Sequence, residues 1–195
     1  MKNKLHLGIS RKIKIIGGKW KGRNIPITRH SKIRPTTNRM REMLFSWINP
    51  IISSAVCLDC FAGSGALGLE SLSRGANKVT FLDNNHICIT ALMKITQSFS
   101  AYNSEVIYTD CRSWLQQTIT TYNVIFLDPP FQEHIIPEII FLLERYNLLE
   151  KESWIYIETS KNRNIFNTSI IPNHWVLYRK KITRNVMYYL FLRRS

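Results

Sequence analysis

Between Val56 and Gly68 an apolar run, Val56 to Leu58, passes through Asp59, Cys60, Phe61 and Ala62 into Gly63, Ser64 and Gly65, then into Ala66, Leu67 and Gly68. This is a strand, a glycine loop and a helix in direct succession. The glycines permit positive φ and let a ligand approach the backbone closely, and a helix beginning near Ala66 aims free N–H groups at the space above the loop. A strand that hands over to a helix so abruptly reads as half of a β–α–β unit, which belongs to a sheet with parallel strands.

The remaining sequence repeats that alternation. Helical stretches are expected at Asn38 to Ile48, Leu67 to Leu72, His86 to Ser98, Ser113 to Thr118 and Ile135 to Leu143. Strands are expected at Lys78 to Leu82, Glu105 to Tyr108, Val124 to Leu127 and Trp154 to Glu158, with Trp175 to Tyr178 and Val186 to Leu192 as a closing pair around a basic turn containing Lys180, Lys181 and Arg184. The alternation predicts an α/β fold, a parallel sheet covered by helices on both faces. The 195 residues suffice for one core, read as a domain over residues 36–195 that follows a basic extension over residues 1–35. In that extension Lys12 to Ile16 and Arg23 to Ile27 alternate polar with apolar residues around Gly17, Gly18 and Gly22, the pattern of a β-hairpin.

Taken literally, Gly63 to Gly68 matches the dinucleotide pattern G-x-G-x-x-G, and Asp83 stands 20 residues after Gly63, in position for ribose hydroxyls. Asp59 argues against NAD: a carboxylate just before the glycines repels a pyrophosphate but attracts the ammonium of a methionine moiety. S-adenosylmethionine carries no phosphate. Asp110, after the third strand, can accept from an adenine amine, and Phe61, Ser64 and Cys111 are assigned to the same cofactor site. Loop or helix-cap chemistry is the structural alternative for Asp83 and Asp110.

A fourth strand ends in Asp128, Pro129, Pro130 and Phe131. Proline lacks the N–H a ladder needs, so the strand stops there and leaves an acceptor-rich edge. The Asp128 carboxylate and Pro129 carbonyl accept hydrogen bonds, and Phe131 offers a flat apolar face. Such an edge grips a planar ligand bearing an NH2 group and helps localise its lone pair for methyl transfer. These four are the candidate catalytic residues; a plain strand terminator is the other reading.

These motifs, with Ile15 to Arg23, Arg34 to Thr37 and Arg41, Glu42, Leu44 and Phe45, closely resemble the bacterial RsmD-like methyltransferases, and the resemblance covers most of the chain. It implies a Rossmann-like class I fold with strand order 3-2-1-4-5-7-6 after the hairpin, and S-adenosylmethionine as cofactor. The implied substrate is the N2 amine of a guanine in 16S ribosomal RNA, naked or in an assembling small subunit. By resemblance Arg34 and Thr36 lie close to the cofactor and the target base, and Asp83 stands where the family usually carries Glu. The same tetrad also serves DNA adenine-N6 enzymes, and a non-catalytic RNA-binding assembly factor is a third alternative.

Charge supplies an independent line. Thirteen Lys and Arg precede the first acidic residue, Glu42, and eight follow the last, Glu158, whereas the segment between carries a net −7. The basic ends read as a surface for a polyanion, with Lys19, Trp20, Lys21, Arg23, Arg39 and Arg41 as candidate RNA contacts. Packing of Trp20 against the main domain is its preferred alternative. Cys57 and Cys60 form a lone C-x-x-C, with no second pair and no histidine at ligand spacing, so no metal is expected. Without a signal-peptide core or a long apolar span, the chain is expected to be cytoplasmic with no membrane contact. A monomer is the working expectation, since nothing in the sequence bears on oligomeric state.

Overall fold

The computed structural model describes residues 9–28, 38–130, 135–161 and 168–194. Arg34, Thr36, Thr37 and Phe131 lie outside the described residues. The elements run β1 (Ile9–Lys14), β2 (Asn24–Thr28), α1 (Asn38–Ile52), β3 (Val56–Asp59), α2 (Ala66–Ser73), β4 (Lys78–Asp83), α3 (His86–Ser98), β5 (Ser104–Tyr108), α4 (Cys111–Leu115), β6 (Tyr122–Leu127), α5 (Ile136–Arg145), β7 (Leu149–Ser160), β8 (Trp175–Ile182) and β9 (Val186–Arg193).

Seven strands form one sheet in the order β5-β4-β3-β6-β7-β9-β8. Counted from β3, that is 3-2-1-4-5-7-6, the expected order. The strands from β5 to β7 are parallel, and β9 and β8 are antiparallel to their neighbours. Strand order reverses between β3 and β6, so the crevice at their carboxyl ends is where such a sheet binds ligands. Two apolar layers cover the sheet. One packs α1, α2, α3 and the β1–β2 hairpin against Val79, Phe81, Phe126 and Tyr156. The other packs α4 and α5 against Leu58, Ile125, Leu127 and Ile155.

Several boundaries differ from the sequence reading. β1 spans Ile9–Lys14, not Lys12 to Ile16, and β8 runs on to Ile182, so Lys180 and Lys181 lie in the strand and not in the turn, because they pair with Tyr189 and Tyr188 of β9. Three more differ, each for a local reason. α4 begins at Cys111, not Ser113, and ends at Leu115, because the Asp110 carboxylate accepts from the N–H groups of Arg112 (3.0 Å) and Ser113 (3.3 Å) and so sets the helix start. α1 runs one turn past Ile48 despite Pro50, since Ile52 is buried and holds the final turn on the core. β7 starts at Leu149, five residues early; Glu152 takes a positive φ of 58° there, and the register with β6 shifts between Tyr122 and Val124.

The hairpin is clamped to α2. The buried carboxylate of Glu70 accepts from the N–H groups of Ile16 and Gly17, both at 2.8 Å, and from Arg74 Nε at 2.8 Å. Ser73 Oγ accepts from Trp20 N–H at 2.9 Å and donates to the Gly17 carbonyl at 2.5 Å. Gly18, at φ +75°, passes so close that a Cβ there would lie 1.8 Å from the Ser73 carbonyl oxygen. Only glycine fits that approach. The Gly17 to Arg23 block is therefore, in the first instance, a docking device.

Candidate active site at the carboxyl edge of the sheet

Asp59 ends β3 with its side chain 2 % exposed, and its register partners are Phe81 on β4 and Phe126 on β6. Its Oδ2 accepts from the N–H of Gly68, in the first turn of α2, at 3.2 Å. Asp83, at the end of β4, accepts from the N–H of Gly63 (2.7 Å) and from that of Asn85 (2.7 Å). One N–H of the loop, that of Gly63, and one in the first turn of α2, that of Gly68, are thus already bonded to carboxylates. The loop is acid-lined. Burial, reinforced by the charge of Asp83, pushes the Asp59 carboxyl up to about 7, and burial also raises Asp83. This donor set fits a ligand with a cationic group and no phosphate, as S-adenosylmethionine is, and does not fit NAD.

The three glycines divide their work. Gly63 has a positive φ of 52°, and its N–H is the one Asp83 holds. Gly65, at φ +73°, turns its Cα against Leu92 of α3, where a Cβ would approach to 2.4 Å. A Cβ on Gly68 would lie 2.1 Å from the Phe81 ring, so that glycine lets α2 lie flat on β4. Gly65 and Gly68 are thereby explained by packing. Phe61 and Ser64 are half-buried along the loop.

Asp110 is the N-cap of α4, and Arg112 Nε and NH2 both donate to it at 3.0 Å. The helix-cap alternative therefore describes its position; a carboxylate oxygen holds two lone pairs, so an additional acceptor role is compatible with it. Cys111 follows it, buried. Asp128 lies one residue beyond β6, half-buried, and Pro129 is buried behind it. Because Leu127 pairs with Ile157, the next step sets Asp128 beside Glu158, which pairs in turn with Tyr188 of β9. Neither Glu158 nor Tyr188 belongs to a recognisable sequence motif. The available signal is a lone acid at the end of the fifth strand.

Two proposed RNA contacts need correction. Trp20 is 7 % exposed, edge-on to Phe99 with ring centroids 5.1 Å apart, so packing takes the face a base would need. Arg41 is fully buried: its NH2 donates to the Lys14 carbonyl (2.8 Å) and to Asn38 (2.7 Å), and its NH1 lies 3.6 Å from Glu70. Arg23 lays its guanidinium on Phe99 at 3.7 Å and donates to the Ser98 carbonyl. Lys19, Lys21 and Arg39 are exposed, as are Arg179, Lys180 and Lys181 on the edge strand β8. Among the described residues all four cysteines are buried free thiols and no group of side chains could hold a metal ion. No described helix is long and apolar enough to cross a membrane. A concavity of about 550 Å³ between α5 and residues 170–172 shares no residue with this rim.

The family described as conserved hypothetical protein 95 matches residues 13–192. The chain is 41 % identical over its full length to the ribosomal RNA small subunit methyltransferase D of Escherichia coli K12, covering 96 % of that protein. The chain belongs to the RsmD-like methyltransferase family. A second family member, the ribosomal RNA small subunit methyltransferase D of Buchnera aphidicola from Acyrthosiphon pisum, is 42 % identical over 93 % of each protein. The solved structure of yhhF from Escherichia coli superposes with a TM-score of 0.86 at 39 % identity, over 95 % of this chain and 99 % of that one. Family membership thus agrees with the fold and with the acid-lined loop.

Proposed function

We propose that this enzyme transfers a methyl group from S-adenosylmethionine to the N2 amine of a guanine in small-subunit 16S ribosomal RNA. The observation that carries the reading is the acceptor pair of Asp128 and Pro129 at the end of β6, one strand from a glycine loop flanked by Asp59 and Asp83, which hold the N–H groups of Gly68 and Gly63. Bound cofactor supplies an electrophilic methyl carbon on a sulfonium, and the C–S bond that breaks leaves a neutral thioether. Asp59 lies near the ammonium end, Asp83 accepts from the ribose hydroxyls, and Asp110 and Cys111 meet the adenine. By resemblance to the family, Arg34 and Thr36 are assigned to the binding of cofactor and target base.

The chain's own contribution is positioning. The Asp128 carboxylate and Pro129 carbonyl accept from the two N2 protons, which concentrates the nitrogen lone pair along the line of attack. Pro130 keeps this edge free of a competing donor. Once the N–C bond forms, the nitrogen carries one proton too many, and Asp128 accepts it. Phe131 stacks on the extruded base, for ~1–3 kcal/mol. Extrusion costs a few kcal/mol, least for an unpaired base, so the target is a loop guanine.

The basic ends hold the polyanion, through Lys19, Lys21, Arg23 and Arg39 on one side and Arg179 and Lys181 on the other. Lys181 pairs with Tyr188, which pairs with Glu158, so it shares a level with Asp128 three strands away, about 14 Å at ~4.8 Å per strand. The extension over residues 1–35 acts as the RNA arm of a cytoplasmic monomer working on rRNA or on an assembling subunit. Mass mapping of methylated nucleotides in rRNA from cells lacking this protein, with add-back of purified enzyme, tests the proposal. One guanine should lose its N2 methyl group and regain it; an unchanged methylation map would refute the assignment.

A further inference from the structure

Building on that reading, we propose that Glu158 selects guanine by accepting the N1–H that neighbours the N2 amine. Leu127 and Ile157 are register partners, so Asp128 and Glu158 are neighbours at the carboxyl ends of β6 and β7. Glu158 follows Tyr156 by two residues and pairs with Tyr188, so all three occupy the sheet face that carries Phe126. Its side chain is 6 % exposed, and the Tyr156 hydroxyl donates to Oε2 at 3.2 Å. Tyr156 is fully buried and its ring stacks on Tyr188 with centroids 6.5 Å apart. The carboxylate is therefore fixed from below by a rigid aromatic pair. Burial raises the Tyr156 phenol well above its usual range, with the charges of Glu158 and Asp128 adding to it, so the hydroxyl remains a donor and both carboxylates lie within electrostatic reach of one point.

Two acceptors that hold an NH2 group cannot tell one base from another. Adenine, cytosine and guanine all present an exocyclic amine, but only guanine flanks it with a ring N–H. The atom beside the amine in adenine is N1, and in cytosine N3, each bearing a lone pair. A carboxylate beside Asp128 accepts from guanine N1–H and faces lone pair against charge with the other two. A site built around such a pairing rejects the wrong base because a ring lone pair then faces the carboxylate where an N–H would donate to it. Asp128 and Pro129 thus supply the chemistry, and Glu158 supplies the identity of the base.

The test uses a synthetic RNA bearing the guanine that the wild-type enzyme is mapped to methylate, and the same RNA with 2-aminopurine there. 2-Aminopurine keeps the amine at C2 and has a lone pair at N1. Single-turnover rates with the full chain should favour guanine by about 100-fold or more. Glu158→Gln, whose amide can either donate or accept, should slow guanine by about 10- to 100-fold and narrow the preference to within about 10-fold. Cofactor affinity measured by calorimetry should stay at the wild-type value. Equal slowing of both substrates, with the preference retained, would show a purely structural role and overturn the inference. If Glu158→Gln does not fold, the wild-type rates decide: a preference below about threefold overturns the inference. Failure of the wild type to methylate the guanine RNA at all refutes the underlying function instead, so the two failures are distinct.

Discussion

Protonation of Asp59 should control cofactor affinity across neutral pH. Its carboxyl is buried at the base of the glycine loop, bonded to Gly68 N–H and pushed up to about 7 mainly by burial. An ammonium ligand binds the ionised form, so the apparent Kd scales with the fraction ionised. That fraction is about one half at pH 7 and about 3 % at pH 5.5, which predicts roughly 16-fold weaker binding at the lower pH. Calorimetric titration with S-adenosylmethionine at both values measures this. At pH 6 each binding event should also release about 0.9 proton, read from buffers of different ionisation enthalpy. Asp59→Asn should bind more weakly at pH 7 and show a flat profile. The free enzyme carries the opposite sign: its folded carboxyl holds a proton up to about 7, whereas the unfolded one loses it near 3.8, so this group's stabilising contribution falls as pH rises between those values. Asp59→Asn should therefore stabilise the cofactor-free enzyme at pH 8. Equal affinity at pH 5.5 and 7, without proton release, would refute the reasoning.

Other substitutions separate the parts of the molecule. Asp128→Ala should leave cofactor affinity near wild type and lower the single-turnover rate by about 100-fold or more, as for loss of a positioned catalytic group. Glu70→Gln removes the charge that faces Arg41 and Arg74 and should cost about 3–5 kcal/mol in urea unfolding. It should also open the hairpin to protease before the rest of the chain. Replacing Lys19 and Lys21 by Gln should reduce the log–log salt slope of RNA binding by about 0.7–0.9 for each phosphate no longer neutralised, and Arg179→Gln with Lys181→Gln should do the same from the opposite side. A fluorescence anisotropy series in KCl reads both.

The sheet is legible in the sequence because its signals are local: the runs of β3, β4 and β6 each end in Asp, with Gly or Pro close behind two of them, and helical stretches separate the strands. Strand order comes from resemblance, since no periodicity says which strands pair. Boundaries fail where a side chain has two uses. Asp110 reads as a ligand acceptor, which hides its work as the cap that starts α4 two residues early. The basic residues mislead in a related way. Trp20 and Arg41 resemble Lys19 and Lys21 in sequence, but burial depends on Phe99 and Glu70, which stand 79 and 29 positions further along. Glu158 escapes notice for the complementary reason. Nothing beside it in sequence marks it, and only strand pairing brings it next to Asp128.

α2 is eight residues long, about 12 Å at 1.5 Å per residue. Its first turn bonds Asp59, and Glu70 and Ser73 hold the hairpin further along. The arm and the glycine loop are thus mounted on one short strut, although a sequence boundary at residue 35 would separate them. Grafting the arm onto another methyltransferase, or trimming it from this one, disturbs the fixture on which the cofactor loop is built. The portable unit is the hairpin together with α2.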